Sequence, residues 1–184
     1  MRAFVGIEIE NPATIDSIIS FQSELANTGA DIKIVERENL HFTIAFLGEI
    51  ANDQAEEASR RIGRLNLRGG EFAVKGSGAF PSIDRPRVVW VGVDDIGEKI
   101  VVPIADEVRA SLRGIGEEDN RPFTPHLTVA RVRSPRGAQP LQKFLRTYSG
   151  NEFGGTRASA VKLKSSVLGP SGPTYSDVGV FPLL

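Results

Sequence analysis

The sequence predicts an α+β protein of two similar lobes. Three observations carry that reading. Strand-like segments alternate with helix-like ones along the whole chain. Short stretches recur at a nearly constant offset: Val5-Gly6-Ile7, Val91-Gly92-Val93 and Val178-Gly179-Val180 lie 86 and 87 residues apart, and Ala73-Val74-Lys75 returns as Ala160-Val161-Lys162 after 87. Both histidines of the chain stand in one kind of pentapeptide, His41-Phe42-Thr43-Ile44-Ala45 and His126-Leu127-Thr128-Val129-Ala130, 85 residues apart. The whole chain, 1–184, therefore reads as one bilobal domain built on a repeat of about 86 residues, and the third Val-Gly-Val suggests that the halves share edge strands.

The elements follow in order. Residues 2–9 alternate as a strand, and Asn11-Pro12 opens a helix that Gly29 stops. A short strand at 31–35 leads to the first motif strand, 41–48, where β-branched and apolar residues succeed one another without a helical period. Residues 53 to 66 form a charged amphipathic helix. Strands at 71–80 and 87–93 are joined by a turn-rich connection, Phe80-Pro81-Ser82-Ile83-Asp84-Arg85-Pro86. A helix covers 95–113, with Pro103 kinking it or splitting off its first part. The second motif strand spans 126–133, with Pro125 holding Thr124 extended before it. A helix at 137–147 and strands at 157–168 and 174–183 complete the chain.

Residues two apart on a strand point to the same side, so each His shares a face with the Thr two places on. A lone strand histidine is usually a packed core residue. Here Thr occurs eight times in 184 residues and His twice, so two meetings at one offset favour a shared site over chance. Two facing strands of this kind offer two imidazoles and two hydroxyls to one small anion. Two imidazoles make a general acid and a general base, the requirement of in-line displacement at phosphorus. Threonine hydroxyls can hydrogen-bond the non-bridging oxygens. A strained cyclic phosphodiester opens without a metal once its leaving oxygen receives a proton, so the pattern fits hydrolysis of a 2′,3′-cyclic phosphate.

Composition narrows the alternatives. The net charge of −1 argues against a long-footprint duplex binder but leaves room for a local basic pocket. With no cysteine, disulfides, thiolate catalysis and thiolate metal sites are excluded. No apolar run approaches membrane-spanning length and the N-terminus lacks a signal-peptide apolar region, so a cytoplasmic protein is expected. No acidic residue stands at ligand spacing from either histidine, and no metal or other cofactor is expected.

These residues resemble the two-histidine phosphoesterase superfamily, and within it the RNA 2′,3′-cyclic phosphodiesterases, long called 2′-5′ RNA ligases. The resemblance runs through Arg2-Ala3-Phe4-Val5-Gly6-Ile7, Glu38-Asn39-Leu40-His41 to Gly48-Glu49, Gly78-Ala79-Phe80-Pro81 and Pro86-Arg87-Val88-Val89-Trp90. It continues in Arg121-Pro122-Phe123-Thr124-Pro125-His126 to Arg131 and in Ser166-Val167-Leu168-Gly169-Pro170-Ser171-Gly172-Pro173-Thr174-Tyr175. It implies a bilobal fold of duplicated antiparallel-sheet lobes with helices outside, related by a pseudo-twofold about a central cleft lined by both motif strands, and metal-independent opening of the cyclic phosphate to a 2′-phosphomonoester. On this chain His41 would protonate the departing ribose O3′, His126 would activate water, and Thr43 and Thr128 would hold the phosphate oxygens. The implied substrate is an RNA 3′ end bearing the cyclic phosphate, tRNA fragments among the candidates, and a monomer is expected.

The fifth position after each His differs: Phe46 after the first, Arg131 after the second. An aromatic ring suits a base and a guanidinium a phosphate. Simple alternation, however, places both on the face opposite their histidines. Tyr175, after a Gly-Pro turn, is a further candidate for the cleft wall. Three rival readings remain at this stage: ATP-independent 2′-5′ joining by the same histidines, non-catalytic RNA-end binding, and a two-histidine metal site.

Overall fold

A computed structural model describes all residues, 1–184. Its nine strands form one sheet: β1 (Arg2–Glu8), β2 (Ile32–Ile34), β3 (His41–Glu49), β4 (Gly70–Ser82), β5 (Arg85–Val93), β6 (Leu127–Val132), β7 (Glu152–Ala158), β8 (Ala160–Gly169) and β9 (Gly172–Pro182). The order is β7-β4-β5-β6-β3-β1-β8-β9, with β2 added on β6, and every pairing is antiparallel. Four helices, α1 (Pro12–Ala26), α2 (Asn52–Ile62), α3 (Asp95–Ser111) and α4 (Ala138–Thr147), complete the α+β fold with a one-turn 3₁₀ helix at Arg37–Asn39.

Local chemistry explains the helix ends. The Asn11 side chain accepts a hydrogen bond from the Ala13 amide and Pro12 takes the first helical position. Asp94 caps α3 in the same way through the Gly97 amide. Pro103 lies inside a continuous α3 rather than splitting it. Ile18, Phe21 and Leu25 of α1, and Val101, Ile104 and Val108 of α3, are buried in one core of 37 residues with Phe42, Ile44, Leu127 and Val129. Burial of this apolar face against the sheet is the main force fixing the helices.

The strand order has a centre. β3 and β6 meet there through one register pair, Phe42 with Leu127. Flanking them are β1 and β5, the strands of the first two Val-Gly-x tripeptides, and outside those lie β8 and β4, the strands of the Ala-Val-Lys pair. The third Val-Gly-Val departs from the pattern, because it sits on the outer-edge strand β9. The N-terminal β1 lies between β3 and the C-terminal β8, so each half of the sheet draws on distant parts of the chain.

Several boundaries differ from expectation. The segment read as one strand from 157 divides into β7 and β8, which turn back around Ser159. The 80–86 connection is itself paired, as β4 and β5 run on to Ser82 and Arg85. The charged helix ends at Ile62 rather than 66, and His126 stands just ahead of its strand.

The main revision concerns parity. Opposite β1, Val5 pairs with Ala45 and Gly6 with Thr43, so Ile44 is an extra residue in β3. Opposite β5, Val89 pairs with Ala130 and Trp90 with Thr128, so Val129 is an extra residue in β6. Each β-bulge reverses the alternation beyond it. Phe46 and Arg131 thereby return to the face of their histidines, where strict alternation had placed them on the other.

Candidate active site

The sheet curls strongly around the seam. Flat packing would put β9 about 14 Å from β3, three strands away. Yet the Tyr175 ring on β9 lies 5.2 Å from the His41 ring, centroid to centroid. The curl encloses a cleft of about 360 Å³, within the range of small-ligand sites. His41, Thr43, His126, Thr128, Phe46, Arg131 and Tyr175, all seven residues singled out in the sequence, line it. Together they supply two imidazoles, two hydroxyls, a guanidinium and two aromatic rings.

The two imidazoles are held differently. The Nδ1–H of His126 donates to the Thr124 carbonyl at 2.8 Å, in the tautomer that leaves the Nε2 lone pair free. Phe80 of β4 packs edge-on to this ring at 4.8 Å, an arrangement the quadrupole of an aromatic ring favours. His41 instead has its Nε2 2.9 Å from the Thr43 hydroxyl. It stacks on Phe4 of β1 at 4.7 Å, with Tyr175 edge-on to both rings.

Behind His41 lies an ion-pair group without a counterpart at His126. Lys164, itself almost completely buried, binds Glu8 at 2.6 Å and Asp177 at 2.5 Å, and Lys162 binds Glu8 at 2.7 Å. Burial and, next, the Lys164 charge lower the proton affinity of His41 to a pKa of about 4, against the opposing pull of the Asn39 backbone and Glu8. Burial also raises the Tyr175 phenol, which Arg131 and Arg2 counteract.

Both bulges are secured from the helix side. Arg109 of α3 donates its Nε–H to the Ile44 carbonyl at 2.9 Å, and a second nitrogen to the Arg121 carbonyl at 2.9 Å. Gln22 of α1 donates from its side-chain amide to the carbonyls of Val129 and Val35, both at 2.9 Å. A bulge withdraws a carbonyl from the ladder, and an unpaired buried carbonyl is costly. These two side chains, 87 residues apart, reach the bulge carbonyls at matching places, and the Val129 carbonyl also accepts from the Val35 amide at 3.0 Å.

Residues that sequence reasoning did not select include Phe4 and Phe80, which fix the imidazoles, and Lys33, Asn39 and Pro173, which line the cleft. Asn39 donates to the Pro173 carbonyl at 3.2 Å, tying the 3₁₀ turn to the β8–β9 hairpin. Phe4 and Phe80 lie within segments that carried the family resemblance, but their contacts depend on strand order. No cluster of three or more His, Cys, Asp or Glu side chains is arranged to hold a metal ion.

A curled antiparallel sheet presenting two His-x-Thr motifs to one cleft defines a two-histidine phosphoesterase. The chain belongs to the LigT-like phosphoesterases: the family model matches residues 7–90. It is 34% identical to an RNA 2′,3′-cyclic phosphodiesterase of Archaeoglobus fulgidus over 98% of this chain and 99% of that protein. With a protein of the same name from Aeropyrum pernix the identity is 36%, over 89% of this chain and 93% of the relative. Among solved structures, a Thermus thermophilus protein superposes with a TM-score of 0.76 at 26% identity, covering 100% of this chain and 98% of its own. LigT of Escherichia coli, solved with 3′-AMP, has a TM-score of 0.77 at 24% identity, covering 99% and 97%, and shares the fold.

No helix is long and apolar enough to cross a membrane.

Proposed function

We propose that the protein hydrolyses 2′,3′-cyclic phosphodiester ends of RNA to 2′-phosphomonoesters, with His41 and His126 as the acid–base pair and no metal in the chemical step. The observation that carries this is the convergence of both imidazoles and both threonine hydroxyls on one cleft. The names of the Archaeoglobus and Aeropyrum relatives support the substrate class. The cleft is built wholly from one chain, which supports a working monomer, and the centred strand order supports one catalytic unit made from two related halves.

In this reading water attacks phosphorus in line with the bond to O3′. His126 Nε2, left free by the Nδ1 bond to Thr124, takes the proton of the water as its oxygen bonds to phosphorus. The phosphorus–O3′ bond breaks as O3′ receives the proton on His41 Nε2. Thr43 and Thr128 steady the non-bridging oxygens, and exchange with solvent restores both rings. The depressed proton affinity of His41 fits its role on one condition. At a pKa of about 4 the ring is unprotonated near neutral pH, so the anionic phosphodiester must raise its proton affinity on binding for it to carry the proton that O3′ receives.

The test is product analysis on an RNA ending in 2′,3′-cyclic phosphate, with a chelator present and with or without a 5′-hydroxyl RNA. A 2′-phosphomonoester formed at undiminished rate in chelator is expected. A requirement for divalent metal, formation of a 2′-5′ joined product in place of hydrolysis, or binding without turnover would each refute the proposal.

A further inference from the structure

Two further hollows are lined from strands that also line the cleft, and their charges differ. Past Phe46, which lines both spaces, one is bordered by Asp106, Glu117, Glu118 and Asp119 against three arginines. Two of those arginines are already engaged, Arg109 by backbone carbonyls and Arg121 by Asp119. Past Arg131, the other is a groove of about 540 Å³ bordered by Arg85, Arg87, Arg133 and Arg136, with one carboxylate, Asp84. Asp84 is paired with Arg146 of α4, and Arg136 lies 3.6 Å from Asp31. Arg85, Arg87 and Arg133 make no ion pair. On a chain of net charge −1, three unpaired guanidiniums around one hollow are a local excess that nothing in the fold uses.

The groove and the cleft draw on the same strand, β6. Arg131 lines the cleft, Arg133 lines the groove two residues on, and Lys33 of β2 is the register partner of Arg131. The cleft cation Arg131 therefore stands within two residues along the chain of the groove cation Arg133, with Lys33 paired across from it on β2. The groove border carries no aromatic ring, so it suits a phosphodiester backbone rather than a stacked base.

We propose that this groove binds the phosphates on the 5′ side of the terminal nucleotide, so that the enzyme prefers single-stranded oligoribonucleotides to cyclic mononucleotides. The proposal rests on the cyclic phosphodiesterase reading for the placement of the 3′ end, and adds a second site that the chemistry itself does not need. Arg85, Arg87 and Arg133 would each neutralise a phosphate oxygen pair, so affinity should fall with salt by a log–log slope of about −2, from roughly −0.7 per contact.

The experiment compares the wild type with the Arg85→Ala, Arg87→Ala, Arg133→Ala triple variant. The probes are a 2′,3′-cyclic mononucleotide and a single-stranded oligoribonucleotide with the same cyclic phosphate end. Binding of the oligonucleotide is followed by fluorescence anisotropy over a range of salt, and turnover of both substrates is measured. For the wild type, KM should be at least about 10-fold lower for the oligonucleotide, with the steep salt dependence. In the triple variant that advantage and most of the salt slope should vanish, kcat on the mononucleotide should be unchanged, and lysines at the three positions should restore much of the binding. Equal KM values for the two substrates, or oligonucleotide binding indifferent to the three substitutions, would overturn the groove. Absence of turnover on both substrates would count against the phosphodiesterase reading alone, since the binding comparison still decides the fate of the groove.

Discussion

Ile44 and Val129 are the extra residues of two corresponding β-bulges, and the carbonyl of each is held by a polar side chain from the helix side of the sheet. The consequence is positional. Without the bulges, Phe46 and Arg131 would point away from the cleft; with them, both line it beside the histidines. The clamps Gln22 and Arg109 therefore act on the cleft without touching it.

Replacing Gln22 by Leu keeps the volume of the side chain but removes both amide donors. The Val129 carbonyl would retain the Val35 amide, while the Val35 carbonyl would lose its side-chain partner. The expected cost is about 1–3 kcal/mol of folding stability, the usual penalty for a buried group left unpaired. Denaturant unfolding measures it. If the clamp also aims Arg131, KM should rise more than kcat falls. A variant as stable as wild type with unchanged KM would show that the bulge holds itself.

Much of this was legible in the residues. The His-x-Thr pairs, the helix caps and the matched tripeptides come from local pattern, and the seven selected side chains share the cleft. Strict alternation failed at Ile44-Ala45 and Val129-Ala130, where two consecutive residues are buried. That doubled apolar step is a signal for a bulge, but only a partner strand shows which residue is extra. Phe4, Phe80 and Lys164 are unreadable for the same reason: Phe4 meets His41, Phe80 meets His126 and Lys164 meets Glu8, each more than 35 residues away in the chain.

The ion-pair group behind His41 predicts a pH response. Since the folded chain holds the His41 proton more weakly than an ordinary histidine, the unfolded state takes up that proton first as the pH falls. The His41 contribution to stability is thus complete above about 6.5 and declines towards about 4. NMR titration of the ring in the unliganded protein should give a midpoint near 4. Lys164→Met removes a neighbouring cation and leaves Glu8 in place, and both changes favour the imidazolium, so the midpoint should rise. An unchanged or lower midpoint would mean that burial alone controls His41.

Phe46 and Arg131 should divide the work of binding. The Phe46 ring is 40% exposed, with the Arg2 guanidinium 5.3 Å from its centroid, and on the proposed function it would stack on a base. Phe46→Ala should cost about 1–3 kcal/mol of substrate binding, the range for one stacked base, seen as a rise in KM with kcat nearly preserved. Arg131→Gln should instead weaken binding of all bases alike and reduce its salt dependence. No KM change with either a purine or a pyrimidine substrate would exclude stacking on Phe46.

The acid–base reading makes the most demanding prediction. In the proposed mechanism each imidazole transfers one proton in the same displacement, so His41→Ala or His126→Ala should lower turnover by roughly 10²–10⁴-fold, the usual worth of a positioned proton-transfer group. That is about 3–5 kcal/mol of transition-state stabilisation for each. Because the two protons move within one step, loss of either partner already removes most of what the other offers. The double variant should therefore be much less impaired than the product of the singles. Rate against pH should follow a bell whose limbs belong to the coupled pair in the substrate complex, and each single variant should lose one limb. Steady-state rates of the four proteins across pH test all of this together. Fully multiplicative losses would mean that the histidines act in separate steps, and a His41→Ala enzyme at near-wild-type rate with its bell intact would remove His41 from the chemistry.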